Sequence, residues 1–334
     1  MDQLKLESRR YIGSKTKLLG WIMDVISREA KGSCSFFDVF GGTGVVSKFA
    51  QYMFDEIIIN DFLYSNYVAY NAFFKGRITK KVKNKLAEYN NLDIHKIKDN
   101  YFSRNFGDKY FSNDVAKIIG HIREDIEKNK SSLTSNEYFT MLTSLMYSMD
   151  KIANTVGHYD AYIKKAPTHG KFTMHLVEKL TDKDIKIYCE DSNELVKKVK
   201  TDIAYIDPPY NSRQYERFYH LWENLSEWVK PELFGTALKP NPKKISKYCQ
   251  VSAKEVFADL IKNIDAKYIV VSYNNTYNSK SNSSRNKMTF DDILEILYNK
   301  GETKVFDQAH KYFSAGKTDF EDHKEYLFVT KVNN

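Results

Sequence analysis

Phe36-Phe37-Asp38-Val39-Phe40-Gly41-Gly42-Thr43-Gly44 reads as a strand that runs into a glycine-rich turn and then into a helical pattern. Glycines there permit a tight turn and let a ligand approach the backbone, while the N-terminus of the following helix supplies N–H groups that lack intrahelical partners. The spacing is not Gly-x-Gly-x-x-Gly, so the turn alone is as compatible with a structural role as with a binding one.

The next strand narrows the choice. Ile57-Ile58-Ile59-Asn60-Asp61 ends in an acid roughly 20 residues after the glycine turn, where an acid in a Rossmann-like unit accepts hydrogen bonds from a ribose. A nucleoside-containing cofactor fits this pair. A phosphate-rich one fits less well, because no Gly-Lys-Ser/Thr P-loop is present.

Further along, short β-branched runs alternate with helical patterns, the mark of parallel βα units. Strands are expected at Ser35–Phe40, Glu56–Asn60, Ile185–Cys189, Thr201–Ile206, Lys267–Ser272, Thr303–Asp307 and Glu325–Thr330. Runs such as Ile57-Ile58-Ile59 and Ile269-Val270-Val271 suit strands buried on both faces. The rhythm breaks from Leu63 to Thr181, which is mostly helical in pattern. Thr134 and Glu137 form a capping box ahead of Tyr138, Met141, Leu142, Leu145, Met146 and Met149 at helical spacing. Such a methionine stripe reads as core. Val115, Ile118, Ile119, Ile122 and Ile126 mark an earlier amphipathic helix. These patterns predict an α/β chain with a mostly parallel seven-stranded sheet formed by 1–62 and 182–334, and a mainly helical insert over 63–181.

Ile203-Ala204-Tyr205-Ile206-Asp207-Pro208-Pro209-Tyr210 carries the chemistry. A buried strand stops at two prolines, which places Asp207 and Tyr210 at the carboxyl end of the sheet, where open α/β folds bind ligands. The prolines stiffen the loop and leave the Pro208 carbonyl able to face a ligand. A rigid turn is the plain alternative.

Bulk properties bound the answer. With 42% apolar and 28% charged residues the chain reads as globular and without a membrane-length apolar run. Residues 1–10 lack the apolar core of a signal peptide, so a cytoplasmic location is expected. Cys34, Cys189 and Cys249 lie far apart and no His-Glu-x-x-His pattern occurs, so no metal is expected. The net charge of +8 favours a polyanionic partner.

With these motifs in one order, the sequence resembles the amino-directed DNA methyltransferases, and within them the adenine-N6, Dam-like group. Tyr11-Ile12-Gly13-Ser14-Lys15-Thr16-Lys17-Leu18-Leu19 is similar to that family's N-terminal cofactor motif. Asp38-Val39-Phe40-Gly41-Gly42-Thr43-Gly44 matches its glycine motif, Asn60-Asp61 its ribose acid, and Asp207-Pro208-Pro209-Tyr210 its catalytic tetrapeptide. Asn154-Thr155-Val156-Gly157-His158-Tyr159 and Asn211-Ser212-Arg213-Gln214-Tyr215 resemble a bacterial subgroup.

The resemblance implies a class I methyltransferase fold, S-adenosylmethionine as cofactor, and double-stranded DNA as substrate. It also implies a base-flipping methyl transfer to adenine N6, in a restriction-modification or orphan role. Asp207 and the Pro208 carbonyl would take hydrogen bonds from the adenine amine, and Tyr210 would stack on the flipped base. Lys15 and Tyr11 would meet the methionine part of the cofactor, Lys15 through its carboxylate. A basic N-terminal arm is the alternative. Asp191 would hold the cofactor's adenine, a solvated loop acid being the other reading.

Base and phosphate contacts would fall to the insert, with Arg104, Lys109, Lys151, Lys164 and Lys165 as candidates and solvated surface charge as the alternative for each. The stretches from Tyr273 to Lys287 and from Lys239 to Lys247 read as loops that close on DNA or as plain surface. A cognate endonuclease, and a monomer or dimer, are compatible with the sequence. Rival readings are cytosine-N4 methylation, against which Asp207 argues because such enzymes usually carry Ser there, RNA adenine methylation, and a non-catalytic specificity subunit.

Overall fold

The computed structural model describes residues 3–168, 170–276, 285–309 and 324–333, and the chain divides into two compact units. One comprises Lys15–Phe62, Ile185–Tyr215 and Lys244–Asn334. Its strands are β1 (Ser35–Asp38), β2 (Glu56–Asn60), β3 (Lys186–Tyr188), β4 (Lys200–Ile206), β5 (Asp265–Asn274), β6 (Gly301–Ala309) and β7 (Lys324–Val332). They form one seven-stranded sheet in the order β3-β2-β1-β4-β5-β7-β6. The pairs from β3 to β5 are parallel, and β7 runs antiparallel to both β5 and β6, so the sheet is mixed. All seven expected strands are present.

Alternation along the strands serves two cores. Phe37, Ile58, Ala204, Ile206, Ile269 and Val271 point to the face covered by Phe257, Leu260 and Ile261 of helix Ala253–Asn263 and by Ile293 and Leu297 of helix Phe290–Tyr298. Their neighbours Phe36, Ile57, Ile59, Ile203 and Tyr205 are equally buried but belong to the opposite face, where Phe36 stacks on Phe54 at 5.3 Å. Burial on both sides accounts for the unbroken apolar runs in sequence.

The strand ends differ from expectation in instructive ways. β1 leaves the ladder at Asp38, because the following residues already turn toward the glycines. β5 extends to Asn274, so Tyr273 and Asn274, read as the start of a loop, are strand residues; Asn286 Nδ2 donates to the Asn274 carbonyl at 2.8 Å. The part of that loop at 277–284 lies outside the described residues.

The second unit comprises Met1–Ser14, Leu63–Asp184 and Glu216–Lys243, and is built of helices. Helix Ser135–Ile152 begins with Thr134 Oγ1 accepting from the Glu137 amide at 3.3 Å while the Glu137 carboxylate accepts from the Thr134 amide at 2.9 Å. Its Met141, Leu142, Leu145, Met146 and Met149 are buried, as are Ile119, Ile122 and Ile126 of helix Asn113–Lys128.

This unit draws in two pieces that the sequence reading kept with the sheet. Leu4 forms a β-bridge with Val177, its amide donating to the Leu176 carbonyl at 2.8 Å. From helix His220–Glu227, the Glu223 carboxylate accepts from the amides of Tyr64 and Ser65 at 3.2 and 2.7 Å. It thereby caps helix Tyr64–Lys75, whose own cap residue Leu63 has no side-chain acceptor. Among the described residues no helix is long and apolar enough to cross a membrane.

Candidate active site

The glycine turn is shaped by backbone need. Gly42 and Gly44 hold φ of 54° and 81°, the left-handed region that costs a side chain energy and glycine little. The Gly41 amide donates to the Asn60 carbonyl at 2.8 Å and the Gly44 amide to the Gly41 carbonyl at 2.7 Å, closing the turn before helix Val45–Ala50. Asp61, one residue past β2, accepts the Gly42 amide at 2.9 Å through Oδ2. The two motifs recognised separately in sequence are therefore joined by a charge-assisted hydrogen bond. Thr43 is buried in the turn, and Phe40 sets its edge against Tyr248 at 5.1 Å.

Asp38 closes β1 at 1% exposure. Its Oδ2 accepts the Ser47 hydroxyl at 2.7 Å, while Oδ1 is buried without a partner among the described residues. Burial pushes this carboxyl up to about 7; the charges of Asp207 and Asp61 add to the rise and the Ser47 hydroxyl opposes it.

Asp207 follows the last residue of β4, with Pro208 buried behind it. The Tyr210 hydroxyl donates to Asp207 Oδ1, and Lys15 Nζ lies 3.2 Å from the same oxygen. Both contacts therefore fall on Oδ1, and no described residue bonds Oδ2. The Pro208 carbonyl likewise accepts no hydrogen bond from the described residues. Burial pushes the Asp207 carboxyl up to about 6, with the Lys15 ammonium opposing and Glu325 adding to the rise. The Tyr210 ring meets Tyr273 edge-on at 4.8 Å.

Lys15, only 5% exposed, sits in a short 3₁₀ turn. Its ammonium reaches Glu325 Oε1 at 2.5 Å, the Tyr210 hydroxyl at 2.5 Å and Asp207 at 3.2 Å. Burial would lower its pKa, but the charges of Asp207 and Glu325 outweigh burial and hold it above the ordinary lysine value. Its donors thus converge on Asp207, Tyr210 and Glu325, contacts that the sequence motif did not anticipate.

Glu325 was not a candidate from sequence. It stands at the start of β7, 2% exposed, and also accepts the Ser272 hydroxyl at 2.9 Å. Because β7 is antiparallel to β5, with Glu325 opposite Asn274, the beginning of β7 lies at the same sheet edge as the carboxyl ends of β4 and β5. The one available signal was a lone acid opening the apolar run Tyr326-Leu327-Phe328-Val329.

Two further cofactor candidates have contacts of their own. Asp191 is exposed and caps helix Ser192–Leu195, accepting from the amides of Asn193 and Glu194 at 2.9 and 3.3 Å. Tyr11 belongs to the helical unit, where its ring stacks on Tyr219 at 4.6 Å. In that unit Arg104, Lys151, Lys164 and Lys165 are exposed and Lys109 is half-buried.

Comparison with known proteins identifies the family. Modification methylase StsI of Streptococcus sanguinis is 34% identical over 286 residues, covering 80% of this chain but 44% of that protein. Type II methyltransferase M.CviAII of Paramecium bursaria Chlorella virus 1 is 32% identical over 342 residues, 96% of this chain and 98% of the relative. Type II methyltransferase M.NlaIII of Neisseria lactamica is 32% identical over 339 residues, with the same two coverages of 96% and 98%. Residues 11–288 match the family described as D12 class N6 adenine-specific DNA methyltransferase. This chain belongs to that family.

Proposed function

We propose that the chain transfers a methyl group from S-adenosylmethionine to the N6 amine of an adenine flipped out of DNA. The observation that carries the reading is Asp207, whose Oδ1 is held by Lys15 and Tyr210 while Oδ2 and the Pro208 carbonyl bond no described residue. Two acceptors at one strand end suit the two hydrogens of an amine. Accepting both would draw the nitrogen toward tetrahedral geometry and release the lone pair that the ring otherwise delocalises. The N–C bond would form as the methyl–sulfur bond breaks to leave a neutral thioether. The Asp207 charge stabilises the positive charge that develops on nitrogen, and the surplus proton on nitrogen leaves to solvent after transfer. Half-buried Tyr210 is the stacking surface for the base, and flipping costs a few kcal/mol, offset by that stacking and by backbone contacts.

The residues fit the cofactor on charge. Asp38, Asp61, Asp207 and Glu325 share this sheet edge with Lys15, and the buried Asp38 Oδ1 has no donor among the described residues. An acid-rich site favours a ligand carrying an ammonium and a sulfonium over one carrying phosphates. S-adenosylmethionine, when bound, supplies an electrophilic sulfonium methyl. Asp61, locked to the Gly42 amide, is assigned to the ribose hydroxyls and the glycine turn to close approach of the cofactor backbone. Lys15 is assigned to holding Asp207 and Tyr210 rather than to the cofactor carboxylate.

The helical unit is assigned to DNA. Its loop after Asn154 is pinned by that residue's Nδ2, 2.9 Å from the carbonyls of Lys109 and Ile163 and 3.1 Å from that of Lys165, which leaves the side chains of Lys164 and Lys165 exposed for phosphates. A modification role is assigned in keeping with the relatives' names, modification methylase and Type II methyltransferase, and a cytoplasmic location and a cognate endonuclease are proposed with it.

The test is transfer of labelled methyl from S-adenosylmethionine to unmethylated DNA and to RNA in parallel, with nucleoside analysis. N6-methyladenine in DNA is expected. Label in cytosine, or in RNA alone, would overturn the substrate assignment.

A further inference from the structure

Lys15 poses a problem for the tetrapeptide beside it. A buried ammonium with Asp207 as its only counter-ion would form a tight pair with the very carboxylate that must remain negative for an incoming amine. The structure places a second acid on the other side of that ammonium. Glu325 Oε1 lies 2.5 Å from Lys15 Nζ, closer than Asp207 Oδ1 at 3.2 Å. It is fixed there by the Ser272 hydroxyl at 2.9 Å and by its place in the β5–β7 ladder. The Tyr210 hydroxyl bridges the two acids, donating to Asp207 and lying 3.4 Å from Glu325 Oε1.

Resting on the methyl-transfer reading above, we infer that Glu325 is a positioning residue for this reaction. It neutralises Lys15, so that Lys15 orients Asp207 and Tyr210 without cancelling the Asp207 charge. Lys15 then works as a three-way clamp and not as the partner of one acid. Antiparallel β7 is what makes the arrangement possible, since a parallel strand in that place would present its carboxyl end to this edge. The groups facing Asp207 are Lys15 from the 3₁₀ turn, Glu325 from β7, Asp38 from β1, Tyr205 from β4 and Tyr210 from its own loop. Of these acids, Glu325 is the one in contact with the ammonium.

The experiment compares the full-length protein with Glu325→Gln, Lys15→Met and the double variant. The glutamine keeps the size of the side chain and an acceptor for Ser272. In Glu325→Gln, kcat on the alkaline plateau is expected to fall by about tenfold or more, since Lys15 then pairs with Asp207 alone. The KM values for cofactor and DNA stay within a few fold, and the acid limb moves to lower pH because a negative neighbour of Asp207 is gone.

In the Lys15→Met background the same glutamine substitution leaves the plateau kcat unchanged, as there is no ammonium left to neutralise. That comparison still decides the matter if Glu325→Gln alone fails to fold. A plateau equal to that of the unsubstituted enzyme, or an equal further loss in the Lys15→Met background, would overturn the inference.

The Asp207 carboxyl titration, followed by ¹³C NMR, reads the same coupling without turnover and is expected at lower pH in Glu325→Gln. An unmoved titration would overturn the positioning role. Lack of N6-methyladenine from the unsubstituted protein beside a shifted titration would instead overturn the reaction assignment and leave the clamp standing.

Discussion

Replacing Asp207 by Asn separates its charge from its shape. The asparagine carbonyl can keep the Oδ1 contacts with Lys15 at 3.2 Å and with the Tyr210 hydroxyl, so the loop after β4 should hold its course. What changes is the Oδ2 position, where an acceptor becomes an N–H donor facing the donor amine of adenine, and the negative charge that stabilises the developing cation is lost. Removing one such preorganised partner in a water-poor site costs about 2.7–4 kcal/mol, or roughly 10²–10³ in kcat.

The same group sets the pH profile. Asp207 titrates at about 6 because burial disfavours the carboxylate, so it is active when ionised and loses activity as pH falls through that value. Its ionised fraction is about 0.9 at pH 7 and about 0.1 at pH 5, a tenfold drop in kcat with unit slope. Single-turnover transfer from saturating S-adenosylmethionine to saturating DNA between pH 5 and 8 measures both effects. A wild-type kcat flat down to pH 5, or Asp207→Asn within a few fold of wild type, would refute the assigned role.

Three further outcomes are expected. Asp38 titrates at about 7, and a cationic ligand amine favours its ionised form, so S-adenosylmethionine affinity by calorimetry should rise about tenfold from pH 6 to pH 8, and Asp38→Asn should flatten that trend; a wild-type Kd independent of pH would count against Asp38 as the amine's partner. Asp61→Ala removes the carboxylate that fixes the Gly42 amide at 2.9 Å, a charged hydrogen bond contributing about 1.5–3 kcal/mol, so the Kd for cofactor should rise about ten- to a hundredfold, and an unchanged Kd would remove the ribose assignment. Met146→Ala empties a fully buried position in the helical unit and should cost about 2–5 kcal/mol in denaturant unfolding, whereas a loss below about 1 kcal/mol would contradict its place in the core.

Much of this molecule was legible from its residues because the relevant signals are local. Unbroken Ile and Val runs mark strands covered on both faces, and Ile57-Ile58-Ile59 and Ile269-Val270-Val271 are such strands in β2 and β5. Thr134 with Glu137, and the methionine stripe behind them, marked a helix start and its buried side, since capping and 3.6-residue periodicity act within a few turns. The glycine turn, Asp61 and Asp207 were found the same way, each at the end of a strand whose neighbours identify it.

What the residues in line did not reveal depends on pairings between distant segments. Asp191 looked like the other strand-end acids, and that its carboxylate also caps a four-residue helix was not apparent from the run. Met1–Ser14 and the helix carrying Glu223 joined the helical unit through contacts that no periodicity encodes, among them the bridge at Leu4, the Arg10 donors on Asp150, the Arg123 donor on the Leu225 carbonyl and a borrowed helix cap.

Glu325 shows the division most clearly. In sequence it is one acid before an apolar run, 310 positions from Lys15. Local propensity set the strand in which it lies; only the antiparallel insertion of that strand between β5 and β6 decided that its first acid would meet the ammonium beside Asp207. Chain neighbours determine which elements form, through steric and periodic constraints, whereas the direction and order of strands in a sheet decide which charges share a dry site.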